Sequence, residues 1–185
     1  MEYFDWIKGQ ANTRPTVNAI RDLDSGIDFT YAELEQRSSA LAGYLQSMGV
    51  GKGDRVAILS RNSPHFFELE FACGKIGGIA VPLNWRLTVP ELEYIIGDCA
   101  PEVLLYDNRF AEQAHELQKR CNTAHILSID FEDTDDYEPA LAQGLDYQSA
   151  RLTLEDIALI MYTSGTTGHP KGAIITHGMN FINCV

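Results

Sequence analysis

Residues 56–83 read VAILSRNSPHFFELEFACGKIGGIAVPL. Two apolar runs, 56–59 and 79–83, bracket a segment that opens on Ser63 and Pro64 and closes at Gly77. The runs are continuous rather than alternating, which is the pattern of strands covered on both faces of a parallel sheet. A proline in the first turn and a glycine after the last are the usual punctuation of a helix. The stretch therefore predicts strand, helix, strand.

The same pattern extends in both directions. Downstream, 103–106 and 125–129 are further short apolar runs, separated by a helix starting at Thr88 with Pro90 and Glu91 in its first turn, and by another over 109–120. Upstream, 17–21 and 27–31 flank Asp-Leu-Asp-Ser-Gly, the turn chemistry of a β-hairpin. Thr30 followed by Glu33 forms a capping box, Leu34, Leu41, Leu45 and Met48 fall on one helical face, and Gly49 supplies the stop. The predicted fold is α/β, a mostly parallel sheet with helices on both faces.

Composition narrows the function classes. The chain has 185 residues, 45% hydrophobic and 22% charged, with a formal charge of −12. Such an acidic balance gives the phosphate backbone of DNA or RNA no basic face to bind, so nucleic acid is not an expected partner. The N-terminus MEYFDWIKGQ carries acids and no apolar core, unlike a secretory signal. The longest apolar run, Ile157–Tyr162, is far below the roughly 20 residues of a membrane-spanning helix, so a soluble, cytoplasmic protein is expected. Cys73, Cys99, Cys121 and Cys184 lie far apart, which suggests packing thiols rather than a zinc site or a disulfide framework. The acid-rich stretch 130–138 reads as a solvated loop, because Phe131 and Tyr137 interrupt it and calcium-loop spacing is missing.

The chemistry-bearing segment is YTSGTTGHPKGA, residues 162–173, between the apolar run IALIMY and a second β-prone run, 173–176. Gly165, Gly168 and Gly172 let backbone amides turn inward to form an anion-binding concavity. Thr163, Ser164, Thr166 and Thr167 add hydroxyl donors, and Lys171 adds one compact positive charge. These groups suit phosphate oxygens. The order departs from G-x-x-x-x-G-K-[ST]: His169 and Pro170 separate Lys171 from Gly168, Gly172 takes the hydroxyl position, and a strand follows instead of a helix. Phosphates would be held by a loop joining two strands, not by a helix N-terminus.

This segment resembles the signature phosphate-binding loop of the adenylate-forming ligases, the superfamily of acyl- and aryl-CoA synthetases, luciferases and peptide-synthetase adenylation domains. The likeness runs through FTYAEL, GVGKGDRVAIL, NSP, GGIAVPLNWRLT and ELEYII, and so covers nearly all of 15–180. VPLNWRLT is most similar to the fatty-acyl and related acyl-CoA ligases. The resemblance implies two-step chemistry: a carboxylate attacks the α-phosphorus of Mg-ATP, and a thiol, usually that of coenzyme A, then displaces AMP. It places Thr163, Ser164, Gly165, Thr166, Thr167, Gly168 and Lys171 on the β- and γ-phosphates, with Thr166 or Thr167 near Mg²⁺ and Lys171 steadying the departing pyrophosphate.

It further implies that the adenine and carboxylate pockets, the acidic metal residue and the lid lysine lie outside these 185 residues, as in a truncated chain. Residues 1–48 would dock on a second subdomain, and 49–185 would form the α/β subdomain that ends in the loop. An exposed apolar surface, through which the chain forms a small homo-oligomer, is expected. Two alternatives remain: transfer of the acyl group to a carrier-protein thiol or to oxidation, and a non-catalytic module that binds a nucleotide or a partner.

Single residues add little. His177, after the second strand, resembles a family histidine that approaches the substrate side, or equally caps the helix starting there. His65 is expected at the surface of a first helical turn. Trp85 and Arg86 are expected to pack locally, and Lys75 to serve helix packing rather than catalysis. Ser164 has no base near it in sequence, so a hydrolase is not supported.

Overall fold

The computed structural model describes residues 3–129, 136–164 and 169–183. Helix α1 (Trp6–Thr13) is followed by β1 (Asn18–Arg21) and β2 (Asp28–Thr30), an antiparallel hairpin, and then by α2 (Tyr31–Ser47). The main sheet contains β3 (Arg55–Ser60), β4 (Ile79–Asn84), β5 (Val103–Asp107), β6 (His125–Ile129), β7 (Ile157–Thr163) and β8 (Lys171–Thr176). Helices α3 (His65–Ile76), α4 (Val89–Cys99), α5 (Ala111–Cys121) and α6 (Tyr137–Ala142) connect them, and α7 (His177–Asn183) follows β8. The strand order is β6-β5-β3-β4-β7-β8, with neighbours parallel except the antiparallel β7–β8 pair.

Strand period and burial explain the layering. Along β3, Val56 and Ile58 enter one core with Leu41 and Leu45 of α2 and Leu69 and Ile76 of α3. Ala57 and Leu59 enter the opposite core with Leu92, Ile95 and Ile96 of α4 and Leu117 of α5. Consecutive residues thus face opposite layers, and the unbroken apolar run is the signature of a strand covered on both sides. Each fully buried leucine or isoleucine contributes roughly 1.5–3 kcal/mol.

Both capping boxes form. Thr30 Oγ1 accepts from Glu33 N while Glu33 Oε2 accepts from Thr30 N at 2.8 Å, and Glu91 Oε2 accepts from Thr88 N at 2.8 Å. Gly77, at φ 79°, ends α3 in the left-handed conformation that favours glycine.

Three expectations need correction. His65 is 2% exposed, its ring edge-on to Tyr137 with centroids 5.0 Å apart, because α6 folds back over the start of α3. The acid-rich stretch is not a loop throughout. Residues 130–135 lie outside the described residues, but Tyr137 is fully buried and begins α6, and Glu138 pairs with Arg37 of α2. The helix expected over 109–120 begins as a tight 3₁₀ turn, Asn108–Phe110, and becomes α-helical at Ala111, since Asp107 Oδ1 accepts from Arg109 N and winds the entry.

Residues 1–48 are integrated with the sheet through α2, whose Leu41, Ala42 and Leu45 share the core of α3. Lys75, 2% exposed, ties the N-terminal segment down: its Nζ donates to Asp5 Oδ2 at 2.8 Å and to Glu35 Oε2 at 2.7 Å. Cys73 and Cys99 are buried and Cys121 is partly so, all as free thiols, and burial pushes Cys99 up to about 11. Cys184 lies outside the described residues. Among the described residues no helix is long and apolar enough to cross a membrane.

Gly43 in α2 offers a test of this packing. A Cβ there would lie 1.9 Å from the Leu145 carbonyl oxygen, a backbone atom that cannot swing away. Alanine gains about 1 kcal/mol of helix propensity over glycine, whereas overpacking costs about 1–3 kcal/mol and here displaces main chain. Gly43→Ala is therefore expected to lower the urea midpoint; an unchanged or raised midpoint would show that α2 does not lie this close to Leu145.

Candidate active site

Strands β7 and β8 form a hairpin whose tip is the Gly/Ser/Thr segment. Thr163 pairs with Lys171 and Tyr162 with Gly172 across its base. Gly165, Thr166, Thr167 and Gly168 lie outside the described residues, so the structure places the two flanks of the loop. Thr163, Ser164 and Lys171 are all exposed there.

The flanks border a cleft of about 670 Å³, with Thr163, Ser164, His169 and Pro170 on one side and Asn84, Glu91 and Tyr94 on the other. The hairpin is fastened to α4 at two points. Tyr162 donates its hydroxyl hydrogen to Asp98 Oδ2, and burial together with that bond raises the phenol above its ordinary range. The His169 ring stacks on Tyr94, centroids 4.9 Å apart and planes 24° from parallel. Gly172 explains the departure from a hydroxyl residue at its position. A Cβ there would come within 2.8 Å of Ile160 Cγ2 and 3.2 Å of the Tyr162 ring, so glycine lets that ring lie across the hairpin. Glu91, in the α4 capping box, is held below its usual carboxylate range by hydrogen bonds from Thr88.

The chemical capacity of the cleft follows from these groups. Its lining offers the hydroxyls of Thr163 and Ser164, and Lys171, which pairs with Thr163 across the hairpin, adds one ammonium at the same strand ends, a set suited to an anion. Among the described residues no cluster of three His, Cys, Asp or Glu side chains could cage a metal ion.

His177 does not join this constellation. Six residue steps along β8 separate it from Lys171, about 20 Å at the usual strand rise. Its amide donates to the Asp156 carbonyl at 3.0 Å, and its ring is 7% exposed against Tyr3. Burial lowers its basicity. Trp85 is flanked by the guanidinium groups of Arg61 and Arg86, 4.9 Å and 4.3 Å from its ring centre, a local cation–π stack.

Sequence reasoning missed the α4 wall. Tyr94 and Asp98 are spaced i,i+4 and so share a helical face, which marks a possible contact surface, but nothing local says that a hairpin more than sixty residues on will meet it.

The profile of the AMP-binding enzyme family matches residues 7–185, and the chain belongs to that family of adenylate-forming ligases. It is 41% identical to a feruloyl-CoA synthase of Amycolatopsis sp over 180 residues, covering 97% of this chain and 34% of that protein. It is 32% identical to the long-chain-fatty-acid–CoA ligase FadD13 of Mycobacterium tuberculosis over 179 residues, covering 96% of this chain and 35% of that protein. Among solved structures it superposes on the inhibitor-bound N-terminal domain of FACL13 from Mycobacterium tuberculosis with a TM-score of 0.84 at 31% identity, covering 96% of this chain and 45% of that one. The chain thus spans about a third of the length of the curated relatives named here.

The Tyr94–His169 stack is expected to hold the loop's exit strand over the cleft. An aromatic pair contributes about 0.5–1.5 kcal/mol, so His169→Ala is expected to speed amide hydrogen exchange at Lys171 and Gly172 by roughly two- to tenfold. Unchanged exchange would show that the stack does not hold this end of the hairpin.

Proposed function

We propose that this chain is the N-terminal part of an AMP-forming acid–thiol ligase that activates a carboxylate, a fatty acid in the leading reading, as acyl-AMP and passes it to coenzyme A. The observation that carries the reading is the β7–β8 hairpin, which sets Thr163 opposite Lys171 at the two ends of the glycine-rich segment and borders a cleft with Thr163, Ser164, His169 and Pro170. In this role Thr163, Ser164 and Lys171, with Gly165, Thr166, Thr167 and Gly168, grip the β- and γ-phosphates of ATP. The carboxylate oxygen forms its bond to the α-phosphorus while the α–β bridge breaks, and the electron pair leaves with pyrophosphate. Lys171 opposes the charge growing on that leaving group. Mg²⁺, when bound with the nucleotide, supplies further neutralisation of the phosphate oxygens, and the hydroxyl of Thr166 or Thr167 is the contact this chain would offer it.

The adenine pocket, the carboxylate pocket and the thiol site belong to the part of the enzyme outside this chain. Docking of residues 1–48 on that part, and self-association of the isolated chain, belong to the same proposal; Phe67, Met161 and Ile174 are 48%, 46% and 53% exposed. Carboxylate-dependent exchange of labelled pyrophosphate into ATP tests the reading. The full-length enzyme is expected to catalyse it with fatty or aryl acids, and the 185-residue chain alone is expected to show none. Exchange by the isolated chain would overturn the division of labour, and no exchange by the full-length enzyme with any carboxylate would overturn the function.

A further inference from the structure

The end of the β7–β8 hairpin away from the loop carries a second cavity, of about 330 Å³, between α1, α3, β7 and α7. Tyr3, Trp6, Phe67 and Phe71 supply aromatic walls. Glu70 of α3 sits among them, half-buried. Its Oε1 accepts one hydrogen bond, from Asn180 Nδ2 at 3.1 Å, and among the described residues it forms no ion pair. Beside it the His177 ring, more than nine-tenths buried, lies 4.3 Å from the Tyr3 ring, and its Nε2 has no hydrogen-bond partner. Burial holds Glu70 above its usual carboxylate range and His177 below its usual value, the latter against a partial pull from the Asp156 carboxylate.

The chemistry of these walls selects among ligands. A neutral apolar molecule would gain only the burial of its surface. An anion would meet the Glu70 carboxylate on a protein of net charge −12. A cation with an apolar body gains three ways: attraction to the negative faces of the rings, a charge-assisted contact with Glu70, and apolar burial. The unfilled nitrogen of a neutral His177 is matched by an N–H donor, which favours an ammonium bearing hydrogens over a quaternary one. We propose that this cavity binds a primary ammonium ion with an alkyl or arylalkyl tail, the charge at Glu70 and the tail against the aromatic walls.

Calorimetric titration of the 185-residue chain with phenethylammonium, and with the neutral isostere 2-phenylethanol, separates charge recognition from burial. The ammonium is expected to bind about tenfold more tightly than the alcohol, and Glu70→Gln is expected to abolish that preference. If Glu70→Gln does not fold, Glu70→Asp, which withdraws the carboxylate by one methylene, should shrink the preference instead. Equal affinity for the two ligands, no binding of the ammonium into the millimolar range, or a preference that survives both substitutions would overturn the proposal.

Discussion

Lys171→Ala in the full-length enzyme is expected to slow acyl-adenylate formation by roughly ten- to more than a hundredfold, while ATP binding weakens much less. Removal of one charge-assisted contact corresponds to roughly 1.5–3 kcal/mol. In the proposed role the ammonium, set opposite Thr163 across the hairpin, would meet phosphates whose charge rises as the α–β bond breaks, so the loss should fall on the rate. Thioester formation from chemically supplied acyl-adenylate should be nearly untouched, since pyrophosphate has already left. Rapid-quench measurement of the two half-reactions separates these outcomes. Equal damage to both would remove Lys171 from the leaving-group role.

The largest expected effect on stability is at Glu68. This α3 carboxylate is fully buried and accepts from Arg37 Nε at 2.7 Å and from the Tyr137 hydroxyl. It thereby joins α2, α3 and α6. Glu68→Ala would leave the Arg37 guanidinium and the Tyr137 hydroxyl without their shared acceptor. Breaking a buried pair from one side costs about 3–5 kcal/mol. For a domain of this size that lowers Tm by roughly 6–20 °C. Glu138 still bonds Arg37 from the exposed side and offsets part of the loss. Tyr137→Phe in the Glu68→Ala background should add little, because the partner it would abandon is already gone. A thermal melt within a degree or two of the parent would show that the network does not hold these helices.

The parallel strands were legible because their apolar runs are buried from both sides, so each announces itself without its partners. The helix starts at Thr30 and Thr88 were legible because a capping box is complete within four residues. The hairpin around the Gly/Ser/Thr segment was legible because two β-prone runs, 157–162 and 173–176, bracket it. What escaped depends on residues far apart in the chain. His65 reads as exposed from Ser-Pro-His, and only Tyr137, 72 positions later, closes over it. Helix α6 hides in an acidic stretch because its support is tertiary, the burial of Tyr137 and the pairing of Glu138 with Arg37. The surroundings of His177 were hidden for the same reason: the hairpin's register carries it away from the Gly/Ser/Thr segment, towards Tyr3 and Glu70.

The hairpin is proposed to serve cleavage between the α- and β-phosphates. Phosphorus-31 NMR of the full-length enzyme with ATP, a carboxylate and coenzyme A reads this directly. AMP and pyrophosphate are expected in equal amounts, formed only when the carboxylate is present. Release of ADP and inorganic phosphate, or AMP formation indifferent to the carboxylate, would contradict it.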